Sequence, residues 1–140
     1  MIPVELSRIV IQETSEQQYI YITETDGKRS FPIVIGIFEA LEINRKVSDK
    51  RSMRPMTHDL VRLVIEALGG RLDKVVISDL REGTFYANLY IEQDGKEVLV
   101  DCRPSDSIAL AAALRVPIFV EEHVMDQVGK DADGGGEDFM

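Results

Sequence analysis

The chain has 140 residues, of which 44% are hydrophobic, and a formal net charge of −9. This length suits one globular domain with its own core. No apolar run approaches the roughly 18 residues that a membrane-spanning helix needs, and the N-terminus lacks the basic and then apolar pattern of a signal peptide. Its single cysteine, Cys102, cannot form an intramolecular disulfide, which favours a reducing compartment. We therefore expect a cytoplasmic protein that has no membrane partner.

The first half of the chain predicts three strands and a helix. Branched residues alternate over 4–13, and strands follow over 18–25 and 29–35. The turn between the last two is Asp26-Gly27, a strong hairpin signal. From Ile37 to Lys46 polar residues recur at helical spacing.

A loop over 47–56 follows this helix. The stretch from residue 45 to residue 54 reverses the sign of the overall charge, because five cations there face only Asp49: Arg45, Lys46, Lys50, Arg51 and Arg54. Such a loop either binds an anion or is simply solvated.

The second half begins with a helix over 57–68, for which Thr57 is the predicted N-cap. Apolar residues cover most of its surface, so we expect it to be largely buried. Ser105 is expected to cap a second, almost entirely apolar helix that extends to Arg115. A short helix over 121–128 follows. The predicted strands of this half are 71–80, 84–93, 96–102 and 117–120.

The two halves repeat each other. Segment 6–11 resembles segment 72–77, and the turn residues Asp26-Gly27-Lys28 recur as Asp94-Gly95-Lys96. We therefore predict an α+β fold in which two copies of a β-hairpin, a strand and a helix surround one mixed sheet. The domain is expected over 1–128, and 129–140 is an acidic, Gly-rich tail that we expect to be disordered.

The apolar helix over 105–115 also predicts an oligomer. It is apolar nearly all round, and the strand over 117–120 adds a further apolar edge. One core of this size is not expected to cover all of that surface, so we predict a twofold homodimer.

Two arginine-proline pairs precede predicted helices. Arg54-Pro55 and Arg103-Pro104 each stand just before a hydroxyl residue, with an aspartate in the first helical turn. Proline, a hydroxyl cap and an acid are ordinary helix-start chemistry, but an arginine there is not favoured. It is better placed to bind an anion that lies against exposed backbone N–H groups. Arg54 and Arg103 are thus candidate phosphate-binding residues.

Four further residues are candidates for chemistry. His58 and Asp59 lie at the start of the helix over 57–68, where the histidine is either a general base, a metal ligand or a structural, hydrogen-bonded side chain. Asp101 and Asp106 lie at a strand end and a helix start. They either share a divalent cation such as Mg²⁺ or Mn²⁺ or separately support local structure.

The order of several motifs resembles the bifunctional nuclease domain family. The resemblance covers residues 5–128, and the segments that carry it are 54–60 (RPMTHDL), 68–70 (LGG), 83–87 (GTFYA), 100–106 (VDCRPSD) and 117–120 (PIFV). It implies a compact α+β domain with an internal duplication, and nuclease activity on RNA and DNA.

Two functions are compatible with these residues. In the first, the chain is a metal-assisted phosphodiesterase acting on single-stranded nucleic acid. Asp101 and Asp106, with Glu39 or Glu42, would hold the cation, while His58 beside Asp59 would be the base or orient the substrate. Arg54 and Arg103 would hold the phosphate. In the second, it is a non-catalytic oligomeric module that binds an anionic ligand or partner.

Overall fold

A computed structural model describes residues 1–50 and 52–131. Within these residues, eight strands form one mixed sheet and four helices pack against it. The predicted α+β class is confirmed. None of the described helices is long and apolar enough to cross a membrane.

The first half forms three antiparallel strands and a helix, as predicted. The elements are β1 (Ile2–Val10), β2 (Gln18–Glu24), β3 (Arg29–Ile35) and α1 (Ile37–Val47). Strand β1 starts earlier than predicted because Ile2 pairs with Val120 of a distant strand. It also ends earlier, since the segment between β1 and β2 folds around the fully buried amide of Gln18, which donates to the carbonyls of Gln12 and Ser15.

The second half contains the remaining elements. They are α2 (Thr57–Ala67), β4 (Gly70–Arg81), β5 (Thr84–Gln93), β6 (Lys96–Cys102), α3 (Pro104–Leu114), β7 (Ile118–Val120), α4 (Glu122–Val128) and β8 (Lys130–Asp131). Both hairpins here turn through two consecutive residues with positive φ, Glu82-Gly83 and Asp94-Gly95. This geometry matches the right-handed twist of the paired strands and explains a glycine in each turn.

The strand order is β6-β5-β4-β7-β1-β2-β3-β8. Strand β7 lies between the two three-stranded units, parallel to β4 and antiparallel to β1. Each unit is followed by a helix, and these helices, α1 and α3, contact each other. The two halves thus share one order of elements, and their origin by duplication stays a prediction.

The helix α3 lies at the centre of the fold. Ile108 and Ala109 are fully buried and belong to the same cluster as Ala40 and Ile43 of α1. Small alanine side chains allow the two helices to approach closely. Because α3 is covered by its own chain, it does not provide the surplus apolar surface from which we predicted a dimer. That surface lies elsewhere, on α2 and β6.

The prediction that the helix over 57–68 is largely buried is wrong. No residue of α2 is buried, and Leu60 and Val64 remain about half exposed. Only one strip of α2 packs inward, where Val61 and Ile65 contact the smaller core cluster. An apolar pattern on both sides of a helix cannot reveal which side the fold leaves uncovered.

The two predicted N-caps are also wrong. Helix α2 is capped by Met56, so that Thr57 is its first residue, and α3 is capped by Arg103. Pro104 occupies the first helical position, where its fixed φ and missing N–H are tolerated. Ser105 is consequently inside the helix and buried.

The predicted tail begins at residue 129. Lys130 and Asp131 form β8, which pairs with Ser30 and Arg29 of β3. The rest of the predicted tail, 132–140, lies outside the described residues.

Candidate functional site

A cleft of about 840 Å³ opens between α1, α2, β6 and the start of α3. The fold creates it by placing the N-terminal ends of α2 and α3 beside α1. Its lining contains both polar and apolar side chains. The polar ones include Glu39, Glu42, His58, Asp101, Arg103 and Asp106.

Asp106 links two other side chains in this cleft. Its Oδ1 lies 2.9 Å from Nε2 of His58 and accepts a 2.9 Å hydrogen bond from Nη2 of Arg103. Its Oδ2 accepts a 2.9 Å hydrogen bond from Nε of Arg103. The His58 side chain is 16% exposed, whereas that of Arg103 is 62% exposed. The arrangement joins residues 48 positions apart, which no local sequence pattern specifies.

The ionised carboxylate of Asp106 determines which ring nitrogen of neutral His58 carries the proton. Partial burial opposes ionisation of Asp106, but hydrogen bonds from His58 and Arg103 outweigh it and hold the pKa of Asp106 well below its usual range. An ionised carboxylate only accepts hydrogen bonds, so Nε2 of His58 carries the shared proton. In neutral His58, the basic nitrogen is then Nδ1, which lies 3.8 Å from Oε1 of Glu42.

A second network fixes α2 against α1. The Lys46 ammonium is hydrogen-bonded to Oδ1 of Asp59, and Oδ2 of Asp59 accepts a 2.8 Å hydrogen bond from the backbone N–H of Met56. Burial opposes the charge on Asp59, yet Lys46 and the Met56 N–H bring the pKa of Asp59 below its usual range. Arg45 holds Glu42 by hydrogen bonds of 2.8 Å. Because His58 directly precedes Asp59 in α2, the contacts that fix Asp59 against α1 also position His58.

The structure brings four of the six predicted site residues into the cleft: His58, Asp101, Arg103 and Asp106. Asp59 instead lines a neighbouring cavity of about 540 Å³, together with Lys46 and Arg62. Arg54 is exposed in the loop before α2 and does not line the cleft.

The predicted cation pair, Asp101 and Asp106, has unequal members. Both oxygens of Asp106 already accept hydrogen bonds, whereas the side chain of Asp101 has no hydrogen bond or ion pair with another described residue. Among residues 1–50 and 52–131, no group of three or more His, Cys, Asp or Glu side chains is arranged to hold a metal ion. A cation shared by Asp101 and Asp106 stays a prediction, as does the requirement for Mg²⁺ or Mn²⁺.

Cys102 also lines the cleft, but its chemistry is limited. Burial, reinforced by the nearby charges of Asp106 and Asp101, raises the pKa of the thiol to about 12. A thiol with this pKa is protonated at neutral pH and is a poor nucleophile.

Sequence reasoning missed the apolar part of the cleft lining. It includes Phe38, Leu41, Met56, Val61 and Val100. Phe38 is the signal that was available, because an aromatic residue stands beside Glu39 on the side of α1 that faces away from the core.

Residues 20–133 match the bifunctional nuclease domain. The chain therefore belongs to the bifunctional nuclease domain family, and the resemblance seen in its motifs is confirmed.

Individual relatives differ in how much they share with the chain. An uncharacterized protein of Mycobacterium tuberculosis is 44% identical over 121 residues, which span 86% of this chain and 72% of that protein. Bifunctional nuclease 1 of Oryza sativa subsp. indica is 24% identical over 118 residues, 81% of this chain and 36% of that protein. Bifunctional nuclease 2 of Oryza sativa subsp. japonica is 25% identical over 114 residues, 79% of this chain and 35% of that protein.

Proposed function

We propose that this chain is a nuclease that hydrolyses phosphodiester bonds of RNA, DNA or both in the cleft beside α1, α2 and α3. The observation that carries this proposal is the pair of hydrogen-bonded contacts that Asp106 makes with His58 and Arg103. His58 can act as a base and Arg103 is a cation, and both contact the carboxylate of Asp106. A base and a cation in one place suit the hydrolysis of an anionic ester. Family membership and the names of the rice relatives support the reaction class.

His58 is the proposed general base. Its Nδ1 would remove a proton from the water that attacks phosphorus, while Asp106 holds the ring through Nε2 and stabilises the imidazolium that forms. The bond from phosphorus to the leaving sugar oxygen would break, that oxygen would take a proton from solvent, and the imidazolium would return its proton to solvent. Asp106 is therefore a positioning residue. Asp59 and Lys46 support the same geometry from the other side of α2.

Arg103 is the proposed phosphate ligand. Two of its nitrogens bond Asp106, and Nη1 has no hydrogen bond to another described residue. The guanidinium is exposed toward the cleft, so it can donate to the non-bridging phosphate oxygens. Charge developing on those oxygens in the transition state would strengthen these bonds.

The metal-assisted form of the hypothesis rests on Asp101 and Glu39. Both side chains line the cleft, and neither has a hydrogen bond or ion pair with another described residue. A cation between them and the substrate would reduce their repulsion of phosphate. Because Asp106 is engaged elsewhere, we assign no step of the reaction to a metal.

The decisive experiment measures cleavage of labelled single-stranded RNA and DNA by purified protein. His58→Gln should lower kcat by about 100-fold or more, the effect expected from losing a general base. His123→Gln is the matched control, because His123 also contacts an aspartate, Asp79, at 3.2 Å but lies outside the cleft. Equal activity of the two variants would contradict the proposal.

The same assay separates the two forms of the mechanism. Loss of cleavage in EDTA, restored by Mg²⁺ or Mn²⁺, would support metal assistance, whereas unchanged cleavage would exclude it. A well-folded protein that cleaves neither substrate would favour the alternative, an oligomeric module that binds an anionic ligand.

We also propose that the chain forms a homodimer. Support comes from apolar side chains left exposed on α2 and on β6, a strand at the end of the sheet. They include Leu60 and Val64 of α2, Leu68 directly after it and Leu99 of β6, all between 48% and 69% exposed. A hydrophobic edge strand is unusual unless it is covered. Light scattering should give twice the 15.7 kDa chain mass at micromolar concentration; a monomer alone would contradict this.

A further inference from the structure

Phe38 stands out among the phenylalanines of the described chain. Its exposed fraction is 79%, whereas Phe31 is fully buried and stacks on Phe85 with ring centroids 5.4 Å apart. Phe38 lies in the first turn of α1 and lines the cleft that contains His58 and Arg103. An isolated exposed apolar residue needs no explanation. Phe38 instead lines the same cleft as other apolar side chains, among them Leu41 and Val61, and as the polar side chains of His58 and Arg103.

The two kinds of lining side chain match the two parts of a nucleotide. A phosphodiester needs a cation, which Arg103 provides. A nucleobase presents a flat apolar face, and aromatic side chains bind such faces by stacking without regard to base identity. The cleft volume of about 840 Å³ falls within the range of about 300–1,000 Å³ usual for sites that enclose small ligands.

We propose that the base next to the scissile phosphate stacks on Phe38, which makes unpaired nucleic acid the preferred substrate. This inference rests on the proposed nuclease function. In a duplex, each base face is already covered by its neighbours, whereas unpaired bases can be splayed onto an aromatic ring. Phe38 is thus a specificity-determining residue, and it places the phosphate that Arg103 binds.

The first test uses substitution at Phe38. Phe38→Leu keeps an apolar side chain but removes the ring, and it should raise KM for single-stranded RNA by about tenfold, as expected for the loss of one stacked base. Phe38→Trp should retain or lower KM. Cleavage of the corresponding duplex should be weak in the unsubstituted protein and unchanged by Phe38→Leu. Equal KM for the leucine and tryptophan variants on single strands would overturn the inference.

The second test does not depend on cleavage. The chain has no tryptophan, so Phe38→Trp introduces a single reporter into the cleft. Titration with an unlabelled single-stranded oligonucleotide should quench its fluorescence, because stacked bases quench indole emission. Val47→Trp is the control, since Val47 is 54% exposed at the end of α1 and does not line the cleft. Its emission should not change.

The outcomes distinguish this inference from the function on which it rests. Cleavage without quenching of the indole in the Phe38→Trp variant overturns the base site and leaves the nuclease intact. Quenching without cleavage supports the base site and overturns the nuclease. If Phe38→Leu turns a dimer into a monomer by light scattering and leaves KM unchanged, then Phe38 belongs to an interface between copies, and the inference is wrong.

Discussion

Two regions of this protein contain a histidine, an aspartate and an arginine joined by hydrogen bonds. In the cleft they are His58, Asp106 and Arg103; on β4 and α4 they are His123, Asp79 and Arg81. The distances are similar, with the histidine nitrogen 2.9 Å from Asp106 in the first group and 3.2 Å from Asp79 in the second.

The surroundings of the two groups differ. The His58 side chain is 16% exposed inside a concave site, whereas that of His123 is 55% exposed. In both groups the arginine and histidine lower the pKa of the aspartate. Water screens the second group, while the first acts in a partly desolvated cleft where charge interactions are stronger. The comparison indicates that the same three side chains become a candidate site only where the fold encloses them.

The largest expected effect compares the two arginines. Arg103→Ala should lower kcat/KM for nucleic-acid cleavage by roughly 100- to 1,000-fold, as expected for the loss of a group that stabilises transition-state charge. Arg81→Ala, which breaks the matching contact to Asp79, should leave kcat/KM unchanged. Steady-state kinetics of both variants measure this difference. Comparable losses of kcat/KM in the two variants would contradict the view that only the enclosed group takes part in cleavage.

A thiol can measure the difference in environment. Because the pKa of Cys102 is about 12, very little of it is thiolate at pH 8. A thiolate of higher pKa is more nucleophilic than one of ordinary pKa, which offsets part of this loss. We therefore expect alkylation of Cys102 by iodoacetamide to be roughly 30-fold slower than alkylation of a thiol of ordinary pKa. The reference is Glu122→Cys in a Cys102→Ser background, which places an exposed thiol beside His123. Similar rates, followed by mass spectrometry, would mean that the cleft is as well solvated as the second group.

The smallest expected effect concerns stability. Asp106→Asn should lower the free energy of unfolding at pH 7 by about 1–3 kcal/mol, because it weakens charge-assisted hydrogen bonds in a partly buried position. Asp79→Asn should have a smaller effect, since the histidine that it contacts, His123, is 55% exposed, whereas His58 is 16% exposed. Urea denaturation of both variants against the unsubstituted chain gives the two values.

The pH dependence of this difference follows from the lowered pKa of Asp106. The folded state favours the carboxylate, so its stabilisation is complete above the unfolded-state pKa of about 3.9. It is lost as the pH falls through the lower folded-state value. The gap between the unsubstituted chain and Asp106→Asn should therefore narrow below about pH 4. A gap that instead widens with acid would contradict the contacts assigned to Asp106.

Local chemistry allowed most elements to be predicted from the sequence. The bounds of β3, β5 and β6 agree with the prediction, because alternating side chains and the turns around them mark these strands. The turn Asp94-Gly95 is an example: both residues adopt positive φ. Glycine adopts positive φ readily, so the pair marks a turn whatever the rest of the fold. The family was recognisable for a similar reason, since its motifs are short segments read in order.

The candidate site was predictable only in part. His58, Asp101, Arg103 and Asp106 were identified as candidates because they are reactive residue types at helix starts and a strand end. The separation of Asp59 from the cleft was not predictable, since neighbouring residues on a helix point in different directions and only the position of α1 shows that Asp59 meets Lys46. Phe38 was missed because its exposure depends on what the rest of the chain leaves uncovered.

The sequence by itself determined most of the secondary structure, the α+β class and the family, since these depend on residue spacing within short segments. Tertiary structure alone decided the insertion of β7 between β4 and β1, the exposure of α2, and the contact of His58 with Asp106. Each of these depends on residues far apart in the chain, and their pairing reflects the packing of the whole core rather than any local preference. For the same reason, only the tertiary structure decided that the His58 group is enclosed and that His123 is exposed.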